Sequence, residues 1–128
     1  MAKNIIVPEE DKALYKNFHF ASAARASGLV ICSGQIGSQA GGSVPASAEE
    51  EFRNAWRGVG KVLAAAGLSY DDIVDITSFH VGLRENLGTF MKVKDEFVKE
   101  PYPAWTAIGV SELAVPGARV EIRVTGFR

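Results

Sequence analysis

The feature that most constrains this chain is a long, capped amphipathic segment with a single apolar stripe. Ser47 opens a Ser-Ala-Glu-Glu sequence, a capping box in which Glu50 can reach back to the Ser47 amide. Behind it Phe52, Ala55, Trp56, Val59, Val62, Leu63 and Ala66 recur at steps of three and four, and Gly67 comes next as a natural C′ residue. A helix apolar on one stripe has to be covered by another layer. A second helix is predicted from Asn86 as its cap, with Leu87, Phe90, Val93 and Phe97 on one face. Gly88 weakens its first turn, and Pro101 and Pro103 end it and force an extended approach to the next strand.

The covering layer is legible as strands. Phe18 to Ala24 and Leu29 to Ile36 are strand-like and joined by Arg25-Ala-Ser-Gly28, the pattern of a β-hairpin. Gly37 to Ala46 reads as a loop, and Ser69-Tyr-Asp-Asp72 as a turn leading into a β-branched strand from Ile73 to Leu83. Trp105 to Val110 and Arg119 to Phe127 complete the set. The order β-β-α-β-α-β-β predicts an α+β fold, a mixed sheet with both helices on one face.

Alternation assigns side chains to the two faces of that sheet. Val120, Ile122 and Val124 should meet the helices, leaving Arg119, Glu121, Arg123 and Thr125 opposite. Thr106, Ile108 and Val110 form the apolar set of the preceding strand, which places Trp105, Ala107 and Gly109 on the side of Glu121. Leu29, Ile31, Ser33 and Gln35 likewise oppose Val30, Cys32, Gly34 and Ile36. One face is then aliphatic, and the other mixes charge, small residues and a tryptophan, the composition of a contact or ligand surface.

At 128 residues the chain is expected to be one domain, spanning 1–128, with room for one core. A net charge of -1 gives no electrostatic reason to expect nucleic acid or an anionic membrane as partner. No 18-residue apolar run exists, and the opening Met-Ala-Lys-Asn-Ile-Ile-Val-Pro has too short an apolar stretch for a signal peptide. The lone Cys32 excludes an internal disulfide and suits a reducing cytoplasm, and two histidines with one thiol give no zinc-site spacing.

Five blocks carry a resemblance: Ala24 to Gly37 with its Ser-Gly-Gln-Ile-Gly end, Glu50 to Gly67, Leu68 to Val81, Pro101-Tyr-Pro-Ala-Trp-Thr-Ala-Ile-Gly-Val110, and Pro116-Gly-Ala-Arg-Val-Glu-Ile122. In this order, from Phe20 onward, the chain resembles the Rid family, the small enamine/imine deaminases also known as YjgF and UK114. The resemblance implies a chorismate-mutase-like domain and a homotrimer whose sheets surround a central barrel. It further implies small-molecule clefts at the subunit interfaces, with no cofactor and no metal.

In deaminating members the reaction is hydrolysis of the C=N bond of a 2-imino acid such as 2-iminobutanoate or 2-iminopropanoate. An arginine after Pro-Ala holds the carboxylate bidentately, and a last-strand glutamate positions water. By resemblance Glu121 is that glutamate, and Ser33 and Gly34 match the block whose main chain contacts substrate. Trp105 stands at the arginine, Phe20 where tyrosine is common, Lys94 where asparagine is, and Ala107 where many members carry cysteine. Loss of a buried carboxylate partner costs about 2–5 kcal/mol, unless Arg25, Arg84, Arg123 or Lys94 supplies another cation. Three readings stay open: a trimeric hydrolase of altered specificity with Trp105 shaping the cleft, a standard deaminase using another cation, and a non-catalytic trimer binding a metabolite or protein. A Glu121 paired with Arg119 or Arg123 would favour the last, and a free Glu121 facing a cleft the first. His80 and Cys32 read as structural.

Overall fold

The structure, a computed structural model, describes residues 4–128, so the first three residues of the amino-terminal stretch lie outside it. Ten elements succeed one another: β1 (Asn4–Ile6), α1 (Lys12–Phe18), β2 (Ala23–Ala26), β3 (Leu29–Cys32), β4 (Gln35–Ile36), α2 (Ala48–Ala65), β5 (Ile73–His80), α3 (Leu83–Phe97), β6 (Ala104–Gly109) and β7 (Val120–Phe127). They form one mixed sheet in the order β1-β2-β3-β7-β5-β6, with β4 also pairing β7. Among the described strands only β5 and β6 run parallel, joined across α3, as a crossover connection requires.

The expected α+β architecture is present: α2 and α3 cover one face of the sheet. Ser47 Oγ accepts from the Glu50 amide at 3.2 Å, and the stripe Phe52, Ala55, Trp56, Val59, Val62 and Leu63 is buried. These side chains meet Val120, Ile122 and Val124 from β7. Between the helices Phe52 meets Phe90 edge-on at 5.5 Å, and Trp56 stacks on Phe97 at 6.1 Å. Burying aromatic side chains of this size contributes roughly 2–3 kcal/mol each. The β2–β3 hairpin turns on Ser27 and Gly28, with φ of 49° and 86°, the left-handed pair that a two-residue turn needs.

Several boundaries differ from expectation. β5 stops at His80, and α3 begins at Leu83 behind Gly82; Asn86 lies inside the first turn, its side chain donating to the Gly82 carbonyl at 3.2 Å. The stretch expected as a strand from Phe18 ends α1 instead and pairs only from Ala23. Leu29 to Ile36 is not one strand. Pairing runs Ile31↔Thr125 and then Gln35↔Ile122, so one extra residue is accommodated at Ser33-Gly34. Such a bulge reverses the facing of everything after it. Gln35 therefore turns to α2, where a Cβ at Gly58 would come within 3.0 Å of its Oε1, and Ile36 joins the row of Glu121.

Neither α2 nor α3 covers the opposite face, which the short α1 borders at one end. Ile5, Ile31, Ile108 and Phe127 are exposed on it at 41%, 37%, 41% and 54%. Register puts Ile108, Phe79 and Glu121 in one row, and Ile5, Ala24, Ile31 and Thr125 in another.

Candidate functional site

The bulge at Ser33-Gly34 brings the sequence-selected residues on the uncovered face together. Ser33 is pinned twice: its amide donates to Ser22 O at 2.8 Å and its hydroxyl to Ala21 O at 2.7 Å. The hydroxyl is thus committed as a donor, and Ser33 acts as a structural clasp. Gly34 presses its backbone against Glu121, so closely that a Cβ at position 34 would overlap the carboxylate. No other side chain fits there without displacing Glu121.

Two concavities open on either side of this contact. One, of about 910 Å³, is lined by Phe20, Ser33, Gly34, Glu121 and Arg123 together with Tyr15 and His19 of the α1 region. The other, of about 690 Å³, shares Phe20, Ser33, Gly34 and Glu121 and adds Leu14 and Phe18. Phe20, exposed at 43%, lines both of them. The four residues selected by resemblance on this face are therefore contiguous. The contribution of α1 was missed, because a seven-residue helix with no buried side chain leaves only a faint periodic signal.

Glu121 is half-buried, and no ion pair among the described residues includes it. Arg119, one of the two partners considered from the sequence, pairs instead with the fully buried Glu51 at 2.6 Å and holds the carbonyls of Pro45 and Ala46. Arg123 reaches the Cys32 carbonyl through Nε at 3.4 Å. Burial pushes the Cys32 thiol up to about 11, with the Arg123 charge opposing, so Cys32 is an inert core residue.

Trp105 is elsewhere, and this corrects the sequence reading. Parallel pairing sets Trp105 beside Ile76, and Ile76 sits opposite Val124 on the helix side. The whole strand is reversed: Thr106 and Ile108 point to the uncovered face, and Trp105, Ala107 and Gly109 to α3. Trp105 Nε1 donates to Ser78 Oγ at 2.9 Å, its ring packs on Phe90 at 6.0 Å, and the Lys94 ammonium stands 4.7 Å from the ring centre. Ser78 Oγ is in turn 2.8 Å from His80 Nε2, and burial lowers the His80 pKa below its ordinary value. Within one copy Trp105 and Glu121 lie on opposite faces of the sheet, so one concavity cannot use both.

The other cations considered are dispersed. Arg25 donates to the Ala66 carbonyl, and Arg84 is exposed at the start of α3. Among the described residues no group of His, Cys, Asp and Glu could hold a metal ion, and no helix is long and apolar enough to cross a membrane.

A family model described as "Endoribonuclease L-PSP" matches residues 10–127. The RutC family protein YjgH of Escherichia coli is 37% identical over 123 residues, covering 95% of this chain and 92% of that protein. A mouse protein named 2-iminobutanoate/2-iminopropanoate deaminase is 29% identical over 105 residues, 80% of this chain and 76% of its own. Among solved structures, protein YJGH superposes with a TM-score of 0.88 at 36% identity over 99% of this chain and 97% of that one. E. coli TdcF with bound serine does so with 0.76 at 27% identity, over 85% and 87%. Matched along nearly its whole length by the family model and by a RutC-type relative, the chain belongs to the endoribonuclease L-PSP family, the Rid/YjgF family that its motifs resemble.

Proposed function

We propose that this chain, acting as one domain over 1–128, hydrolyses the C=N bond of a small imine or enamine metabolite, with Glu121 as the residue that handles water. The observation that carries this is the Glu121 carboxylate, held against the Gly34 backbone, free of ion pairs, and opening on cavities walled by Phe20. In that role Glu121 takes a proton from water as the water oxygen bonds to the imine carbon and the C=N pair moves to nitrogen, which receives that proton. The hydroxyl proton of the resulting carbinolamine then passes to nitrogen as the C–N bond breaks and the C=O forms. The sum is imine plus water giving carbonyl and ammonia. The Ser33 hydroxyl, committed to the Ala21 carbonyl, argues against a Ser33 nucleophile. Two of the relatives bear the name 2-iminobutanoate/2-iminopropanoate deaminase, which supports the reaction class.

The uncovered apolar face supports a homotrimer in which sheets pack on one another. Since Trp105 and Glu121 lie on opposite faces of a sheet, a cleft that uses both takes them from two copies. Trp105 at the place of the family's arginine then shifts specificity toward ligands that need no bidentate clamp. A cytoplasmic setting fits a single buried thiol. A non-catalytic trimer that binds a metabolite or protein in the same cleft is the competing reading, favoured by the ring of Trp105 being tied to Ser78 and not to a cation fork.

The test is to supply freshly generated 2-iminopropanoate and measure release of pyruvate and ammonia. Glu121→Gln should lower turnover by about 100-fold or more with stability retained. Equal turnover in wild type and variant would sink the assignment, and no turnover above the spontaneous rate in wild type would favour the binding module.

A further inference from the structure

We propose that Lys94 is the anion-binding residue of this protein, taking the carboxylate of a small monocarboxylate ligand on its ammonium at the Trp105 end of the sheet. Lys94 sits in the last turn of α3 and keeps only 8% of its surface exposed. Its ammonium is 4.7 Å from the centre of the Trp105 ring and 6.0 Å from that of Tyr102. Among the described residues it forms no ion pair, while Lys12, Lys92, Arg53, Arg119 and Arg128 all do. Nor does the ammonium donate a hydrogen bond to any described group, whereas Lys99 Nζ reaches the Asp95 carbonyl.

Most of the side chain is buried, and the ammonium at its open end carries three donors that no described group takes up. An aromatic face and the carbonyl end of a helix stabilise its charge. They offer attraction but no acceptor. The group that completes the site is an anion, and one ammonium matches one carboxylate. Tyr102, 63% exposed, puts the cluster at the molecular surface, and β6 beside it is the edge strand, so a ligand can reach it. A lysine holds a carboxylate as a point charge with no fork geometry, so recognition here reads charge more than orientation.

The inference rests on the proposed reaction for the choice of a monocarboxylate, and Lys94, like Trp105, then meets Glu121 only across two copies. It is tested by NMR titration of the full-length protein with pyruvate, the stable 2-oxo acid, and with uncharged pyruvamide. We expect pyruvate to bind more tightly than pyruvamide. Lys94→Gln should weaken pyruvate about tenfold or more and leave pyruvamide unchanged, and Lys94→Arg should retain pyruvate within a few-fold. Equal pyruvate affinity in wild type and Lys94→Gln, no preference for pyruvate over pyruvamide, or no pyruvate binding at all would each overturn the assignment. Loss of turnover in Glu121→Gln with Lys94→Gln fully competent would retain the reaction and remove Lys94 from it. Lys94-dependent pyruvate binding without wild-type turnover would do the reverse.

Discussion

The two faces of the sheet handle their polar groups in opposite ways. On the helix side, Glu51 meets Arg119, Ser78 bridges Trp105 and His80, and aromatic rings fill the remaining space. On the other side Glu121 sits beside glycine backbone, in no ion pair among the described residues, among side chains left open. The first arrangement serves stability, and the proposed function puts chemistry in the second. Lys94 is the exception that makes the contrast informative, since it is buried on the helix side and yet unpaired.

That contrast can be broken by substitution. The largest stability effect is expected from Arg119→Met, which leaves the fully buried Glu51 carboxylate without its charge partner. Urea unfolding should show a loss of about 3 kcal/mol or more. A small loss would mean that Glu51 is rescued by the Arg119 amide, which already donates to it at 2.7 Å. On the other face Gly34→Ala should do the opposite, lowering turnover by roughly 100-fold as the new methyl displaces the Glu121 carboxylate. Its stability cost should be under about 1 kcal/mol, since the displaced group is a side chain with room to move. If stability falls and activity holds, the two faces do not divide stability from chemistry.

The smallest effect concerns pH. Burial holds the His80 pKa below that of an unfolded histidine, so the unfolded chain takes up the proton first. The contribution of His80 is therefore complete above about pH 6.5 and declines as pH falls through that value toward the folded pKa, by at most about 1.4 kcal/mol per pH unit. His80→Phe should flatten unfolding free energy between about pH 5 and 7; an unchanged slope would place the titration on other groups.

Much of this was readable from residues. The capped stripe from Phe52 to Leu63, the Ser27-Gly28 turn and the inward set of β7 each carry a strong local signal, and the family motifs singled out Glu121, Ser33, Gly34 and Phe20, which the fold brings together. What failed was parity. β6 offers isoleucine on one side and tryptophan on the other, so period alone could not say which was covered; the parallel register with β5 decides it. The extra residue at Ser33-Gly34 is invisible to a pattern that assumes unbroken alternation, since a bulge is defined only by its partner strand. Lys94 looked like one cation among four, because burial is a property of its neighbours in space.

The Ser33-Gly34 bulge has one more consequence, for insertion and deletion. Most surface loops absorb a residue gained or lost, but here the extra residue is what sets the Gly34 backbone against Glu121. Ahead of the bulge Val30 and Cys32 are locked into the core, and behind it Gln35 is lodged against Gly58. Removing one residue would restore regular alternation with Gln35 still opposite Ile122, and the bulged backbone that presses on Glu121 would be lost. A chain of this kind can change the chemistry of its cleft by substitution, but the length of this one short segment cannot drift.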